Sequence, residues 1–481
     1  MRRGFFLAVA TAVCAACAPA SKIAPATPQA AFPKNVIVLF ADGTASTQWE
    51  FGRYTSEHLR KRPFLVTDVV FRQGTLGLMS TCSATGMVTD SAAAATAMST
   101  GEKTHNFMLS IAPDGKPLPT MMETAKAAGL RTGLVTTTAI YDASPAGFSV
   151  HANDRRAFQT IVDQYRAFEP DVLMGGGADY FLPSPVGKRN DGEDVIAAFT
   201  AKGYRVVQNA NDLADLRVSS PPGGTPARLL GLFPESPQSF VDRPTVAERE
   251  RAALSVLSRD ERGFLLFVEN ESTDNAGHAN DIAGLMHALW DFDDAVAVAL
   301  DFQKQHPDTL VIVTGDHETG GLSVTTARAA RSNARIVPGE TELRLIDRIS
   351  LSLEVAADKI ASAPVTSAAS AAETLDQLLA MHFPGFILDA ELRRTILEAG
   401  QLGDAGEGRR PDGRDRRDAV ATALARMVSR QTGFYWGTSG HTTEPVVVGA
   451  IGPGAGIFRG YQDNTEFARH LRSLITRRSV R

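Results

Sequence analysis

Cysteine is almost missing from this chain of 481 residues, with only Cys14, Cys17 and Cys82. The first two fall in a leader-like stretch. The remainder therefore keeps Cys82 alone, an internal disulfide is excluded, and stability must come from the core and from bound ions. Surplus positive charge is missing as well. Lys and Arg number 49 against 54 Asp and Glu, a formal net charge of −5, which argues against a protein that works by neutralising nucleic-acid phosphates, so no nucleic-acid binding is expected. An anionic substrate would need local positive charge from metals or a few arginines.

The apolar run GFFLAVATAV, preceded by Arg2 and Arg3, is too short for a membrane-spanning helix and reads as an export signal over residues 1–17. Cys14-Ala15-Ala16-Cys17 lies inside that signal, so it is not read as a redox pair. Small residues before Cys17 resemble a lipoprotein cleavage site, although Cys14 stands where Leu is usual. Two fates stay open, a lipid anchor at Cys17 or plain cleavage near Ala18. Either implies an exported protein, periplasmic or anchored at the outer membrane facing the periplasm or cell surface. Residues 18–34 form a Pro/Ala-rich linker.

The chain as a whole is globular in composition, with 43% hydrophobic and 21% charged residues, and long enough for one large α/β domain with an insertion or for two to three ordinary domains. Short apolar runs recur at 35–42 (NVIVLFAD), 131–138 (RTGLVTTT), 263–269 (GFLLFVE), 309–316 (TLVIVTGD) and 445–452 (PVVVGAIG). None alternates, as expected of strands buried on both faces of a mainly parallel sheet. LPTMMETAKAAG and IAGLMHALWDFDDAVAVALDFQKQ between them read as helices. The fold class is α/β, a three-layer α/β/α sandwich around that sheet.

Asp42, Glu269 and Asp316 each close an apolar run, and ligands of open α/β sheets bind beyond the carboxyl ends of strands. One such acid could merely start a loop or cap a helix. Three, joined by histidines, point to metal. Asp274 and His278 stand four apart, on one side of a helical turn, and Asp316 adjoins His317 at a strand end. His441 offers a third imidazole. Oxygen and nitrogen ligands without thiolate suit catalytic zinc. His58, His287, His306, His382 and His470 are read as structural or solvated, while His105 is left undecided. The segment GMVTDSAAAATAMSTGEKTHN sets Asp90-Ser91 before a run of alanines. Ser91 in the first turn of a helix would meet unsatisfied N–H groups and the positive dipole end, which favour an alkoxide or a phosphate. Alone, either residue could simply be an N-cap.

Taken in order, FADGT, VTDSAAAATAMSTGEKTHN, YDASPAGFSVHANDR, VENESTDNAGHAND, TGDHETGG and SGHTTEP resemble the motif series of the alkaline phosphatase family. The likeness covers about residues 35–325 and 435–475, the expected catalytic domain. It implies a metal-dependent phosphomonoesterase that releases phosphate from phosphate monoesters through a phosphoserine, with two Zn2+ and one Mg2+ per chain. By the same resemblance Ser91 is the nucleophile. Asp42, Asp316 and His317 hold one zinc; Asp274, His278 and His441 hold the other; Asp42, Ser144 and Glu269 hold the magnesium. Arg155, oriented by Asp90, grips the phosphate, with Arg156 as a competitor for that role. A homodimer is expected only from the family.

Departures from the family pattern are Asn275 where Lys or His is frequent, Thr273 for an apolar residue and Ala41 for Gly. With Asp142 nearby and no base at 275, the third site should stay acidic and magnesium-like. Residues 326–434 lose the resemblance and read as a mostly helical insertion near the active-site mouth or a dimer contact. The sign-alternating GEGRRPDGRDRRDAVATALARM reads as a solvated loop and helix start. Two rivals stay open: phosphodiester or other ester hydrolysis within the same superfamily, and a non-catalytic phosphate- or zinc-binding lipoprotein.

Overall fold

The computed structural model describes residues 32–218, 227–234, 240–241, 243–328, 334–362, 368–401 and 413–476. The expected signal and most of the linker lie outside the described residues. Ten strands form one sheet: β1 (Asn35–Ala41), β2 (Thr75–Ser80), β3 (Arg131–Ala139), β4 (Val172–Gly176), β5 (Tyr204–Val207), β6 (Arg228–Leu232), β7 (Phe264–Asn270), β8 (Thr309–Thr314), β9 (Val446–Ile451) and β10 (Gly460–Asp463), in the spatial order β10-β2-β9-β8-β1-β7-β3-β4-β6-β5. From β8 through β1, β7, β3, β4 and β6 to β5 every pairing is parallel. β9 is antiparallel to both of its neighbours, β8 and β2.

The unbroken apolar runs are explained by the two cores they feed. In β1, Ile37, Leu39 and Ala41 enter one core, while Val36, Val38 and Phe40 enter the other. β7 and β8 divide in the same way, with Leu266 and Val311 on one side and Phe267 and Ile312 on the other. Because successive side chains of a strand point to opposite faces, burial on both sides demands apolar residues at every position.

Helices Val246–Leu257 and Ile282–Gln305 contribute to the first core, and helices Ser91–Thr100, Met121–Ala127, Phe158–Phe168 and Asn464–Thr476 to the second. Between 340 and 432 the described chain carries helices Glu340–Ile346, Leu353–Ala361, Ala368–His382, Ala390–Gln401 and Gly413–Thr432. Leu343, Leu353, Ile396 and Leu424 from them extend the first core, so these helices thicken one layer of the sandwich.

Candidate active site

β1 lies between β7 and β8 in the parallel part of the sheet, with Phe40 level with both Glu269 and Thr314 and Ala41 level with Asn270. That register delivers Asp42, Glu269 and Asp316 to one rim, all fully buried. β3, on the other side of β7, leads into the short helix Ala143–Gly147. Ser144 there donates from Oγ to Asp42 Oδ2 at 3.0 Å.

His317 Nε2 lies 3.2 Å from Asp316 Oδ2 and 3.5 Å from Asp42 Oδ1. Beside it, Asp274 Oδ2 is 3.1 Å from His278 Nε2, as helical i, i+4 spacing allows. His441 arrives from far along the chain because it pairs with Thr319, in a two-stranded ribbon with Glu318–Thr319. Its Nε2 sits 3.8 Å from Asp274 Oδ1 and 3.2 Å from His278 Nε2.

The outer nitrogen of each imidazole is engaged. Nδ1 of His278 meets the Ser439 carbonyl at 2.6 Å, Nδ1 of His441 meets the Thr89 carbonyl at 2.9 Å, and Nδ1 of His317 meets Thr319 Oγ1 at 3.2 Å. For His278 and His441 a carbonyl partner requires the proton on Nδ1, so that each ring, when neutral, turns an Nε2 lone pair into the site. Two acceptor nitrogens at that separation want a cation between them. Asp42 Oδ1, Asp316 Oδ2 and Glu269 Oε1 are likewise buried with no hydrogen-bond partner, which is costly for a carboxylate unless an ion satisfies it. The donor set therefore fits metal ions of the zinc and magnesium type.

The charge balance agrees. Burial first, then repulsion from neighbouring acids, holds the Asp42, Glu269 and Glu271 carboxyls well above the ordinary carboxylate range. Burial likewise pushes Asp316 up to about 7. Burial, followed by the charge of His441, pushes His317 down to about 4. Burial also opposes charge on Asp274 and His278, but their mutual hydrogen bond and attraction win. Asp274 falls below the usual range and His278 rises to about 9. Divalent cations would hold these acids ionised and these imidazoles neutral.

Ser91 begins the helix Ser91–Thr100, whose N-cap is Asp90, with Oδ1 accepting from Ala93 N at 3.0 Å. Ser91 Oγ lies 3.2 Å from His317 Nε2. All ten residues of the helix are buried, and a Cβ at Gly147 would come within 2.7 Å of Ala95 Cβ. The alanines thus let the Ser91 helix close onto the helix that carries Ser144.

Arg155 Nη2 donates to Asp142 Oδ1 at 2.8 Å, and Nη1 is 3.4 Å from Asp90 Oδ2. Its backbone N–H donates to the Phe107 carbonyl at 2.7 Å, while the Phe107 N–H donates to Asp90 Oδ2 at 3.0 Å. Phe107 adopts φ 72°, a strained backbone that ties Asp90 to Arg155. Burial works against the Arg155 charge, but Asp142 and Asp90 outweigh it and raise its pKa. Arg156 points away, paired with Asp154 at 2.6 Å and 72% exposed.

All eleven residues singled out in the sequence gather in this neighbourhood. Sequence reasoning missed Glu271, whose carboxylate lies within 4.8 Å of Asp42 and Glu269 ligand atoms. Glu271 stands one residue past the end of β7, at the cap of the helix Ser272–His278, where an acid in the sequence reads as an ordinary loop or helix-start residue. It also missed Thr319, whose hydroxyl donates to Asp274, and Phe107.

A family model described as Alkaline phosphatase matches residues 33–476. The chain is 33% identical over 451 residues to Alkaline phosphatase 3 of Bacillus subtilis (strain 168), spanning 91% of this chain and 88% of that protein. It superposes on the Thermus thermophilus alkaline phosphatase with a TM-score of 0.78 at 29% identity, covering 92% of this chain and 91% of the other. On a cold-active alkaline phosphatase from a psychrophilic Shewanella sp. the TM-score is 0.72 at 30% identity, with coverage of 92% and 99%.

Proposed function

Because the chain belongs to the alkaline phosphatase family and is a metal-dependent phosphomonoesterase, we propose that Ser91 is its nucleophile and becomes a phosphoserine during turnover. Two zinc ions and one magnesium per chain complete the site. Asp42, Asp316 and His317 would hold one zinc, and Asp274, His278 and His441 the second. Asp42, Ser144 and Glu269 would hold the magnesium. Bound there, the ions supply charge stabilisation for the attacking and departing oxygens and lower the pKa of the hydroxyl or water they touch.

This chain's own residues do the rest. Ser91 gives up its hydroxyl proton as Oγ bonds to phosphorus and the bond to the alcohol oxygen breaks in line, the departing alkoxide taking up a proton. Water then attacks phosphorus, the bond to Ser91 Oγ breaks, one water proton returns to Oγ, and inorganic phosphate leaves. N–H groups at the start of the Ser91 helix favour the developing negative charge. Arg155 spends part of its fork on Asp142 and Asp90, which fix its plane, and turns its remaining donors to the non-bridging oxygens, where a loose transition state spreads charge. Asp90 serves twice, capping the helix and orienting Arg155.

The observation that carries this reading is Ser91 Oγ at 3.2 Å from His317 Nε2, within the rim of converging acids and imidazoles. Ser91→Ala should abolish nearly all phosphate release while metal content per chain, measured by mass spectrometry, stays at the wild-type value. Persistent turnover in that variant would contradict the assignment. A matched aryl monoester, diester and sulfate separate this chemistry from its superfamily rivals, the monoester being hydrolysed fastest.

Residues 35–325 and 435–475 are proposed as the catalytic domain and 326–434 as a helical insertion. No described helix is long and apolar enough to cross a membrane. The leader is proposed to direct export to the periplasm or outer membrane, with Cys17 as a candidate lipid anchor, and the mass of the mature N-terminus distinguishes lipidation from cleavage near Ala18. A homodimer is the expected assembly.

A further inference from the structure

We propose that Glu271 is an additional carboxylate ligand of the third ion, joining Asp42, Ser144 and Glu269, so that this site binds a hard divalent cation through three carboxylates. The inference rests on the assignment of that site made above and concerns what is particular to this chain. Ligand atoms of Asp42, Glu269 and Glu271 lie within 4.8 Å of one another on buried residues. Independently of that cluster, Glu269 Oε1 is fully buried and without a hydrogen-bond partner, while its Oε2 is satisfied by Thr136 Oγ1 at 2.5 Å.

Asp142, the other acid near this site, is committed elsewhere. Its Oδ1 accepts from Arg155 at 2.8 Å and from Ala143 N at 2.6 Å. Position 275 is Asn and adds no positive charge, and Arg155, the cation that feels the Glu271 charge, has its hydrogen bonds on Asp142 and Asp90. The Glu271 backbone is held in place, with its N–H donating to Thr137 Oγ1 at 2.9 Å and its carbonyl accepting from Asp274 N at 3.0 Å. A third carboxylate raises the negative charge of the site and leaves fewer coordination positions for water to fill. Such a set suits Mg2+ and also Mn2+, which prefers carboxylate and water oxygens.

Zinc-loaded wild-type and Glu271→Gln proteins are titrated with Mn2+, and the free-ion electron paramagnetic resonance signal gives the dissociation constant directly. The expected result is a single tight Mn2+ in wild type, weakened about 10- to 100-fold in Glu271→Gln, with zinc content unchanged. Glu271→Asp, which keeps the charge on a shorter arm, should fall between them and serves if the Gln variant folds poorly. Equal Mn2+ affinity in wild type and the variants overturns the role of Glu271 and leaves the Ser91 assignment standing. Wild type that holds zinc and turns over but takes no third ion overturns both the Glu271 proposal and the magnesium site. Absence of zinc binding or of Ser91-dependent turnover in wild type would instead sink the underlying reading.

Discussion

At the scale of single residues, the site is organised by side chains that satisfy two neighbours at once. Asp90 caps the Ser91 helix through Oδ1 and meets Phe107 and Arg155 through Oδ2. Arg155 is fixed by two acids and still has donors to spend. Arg155→Lys keeps the positive charge but forfeits the planar fork. Inorganic phosphate, measured as a product inhibitor, should then bind more weakly by about 1.5–3 kcal/mol, the worth of a charge-assisted hydrogen bond. An unchanged inhibition constant would show that Arg155 does not hold the phosphate. Asp42, Glu269, Asp274 and Asp316 were legible in the sequence because each ends or follows a recognisable element. Glu271 was not, since in the sequence a second acid beyond a strand looks like any solvated loop residue.

At the scale of elements, strand reading succeeded for the longer runs buried on both faces and missed strands that are short or half exposed; β4 and β6 feed both cores but span only five residues each, glycine among them. β1, β7 and β8 announce themselves as unbroken apolar runs because each feeds two cores. β2 alternates buried and exposed residues, with Leu76 and Leu78 facing outward, and β5 spans only four residues. Neither stands out from its surroundings. Strand direction is also invisible in such a pattern, and β9 proved antiparallel. The Ile282–Gln305 helix was clear from its length, but its link to the helical segment beyond 340 was not. Its N-cap Asp281 accepts from Gly284 N at 2.9 Å and from Leu353 N at 2.8 Å, joining the starts of two helices. Burial pushes the Asp281 carboxyl up to about 6 in spite of these donors. The folded chain therefore holds this proton to a higher pH than the unfolded one, so the contribution of Asp281 is full below pH about 4 and fades as pH rises through about 6. Asn also caps helices and keeps an acceptor oxygen. Between those limits wild type should lose up to about 3 kcal/mol relative to Asp281→Asn, read from urea midpoints across the pH range. A difference independent of pH would contradict the ionisation argument.

At the scale of the molecule, the sheet is a device for bringing distant acids to one rim. Parallel order β8-β1-β7-β3 places Asp316, Asp42, Glu269 and Ser144 side by side, and the ribbon at 318–319 and 441–442 returns the last histidine to the same place. The second core seats the Ser91 helix against that rim, and the helices between 340 and 432 build up the opposite layer. The most direct test is to quench the zinc- and magnesium-loaded enzyme in acid during turnover of a phosphate monoester and map the phosphoryl group by peptide mass spectrometry. The account predicts phosphate on Ser91 and on no other residue. Turnover with Ser91 unmodified, or with the phosphoryl group on a different side chain, would contradict it.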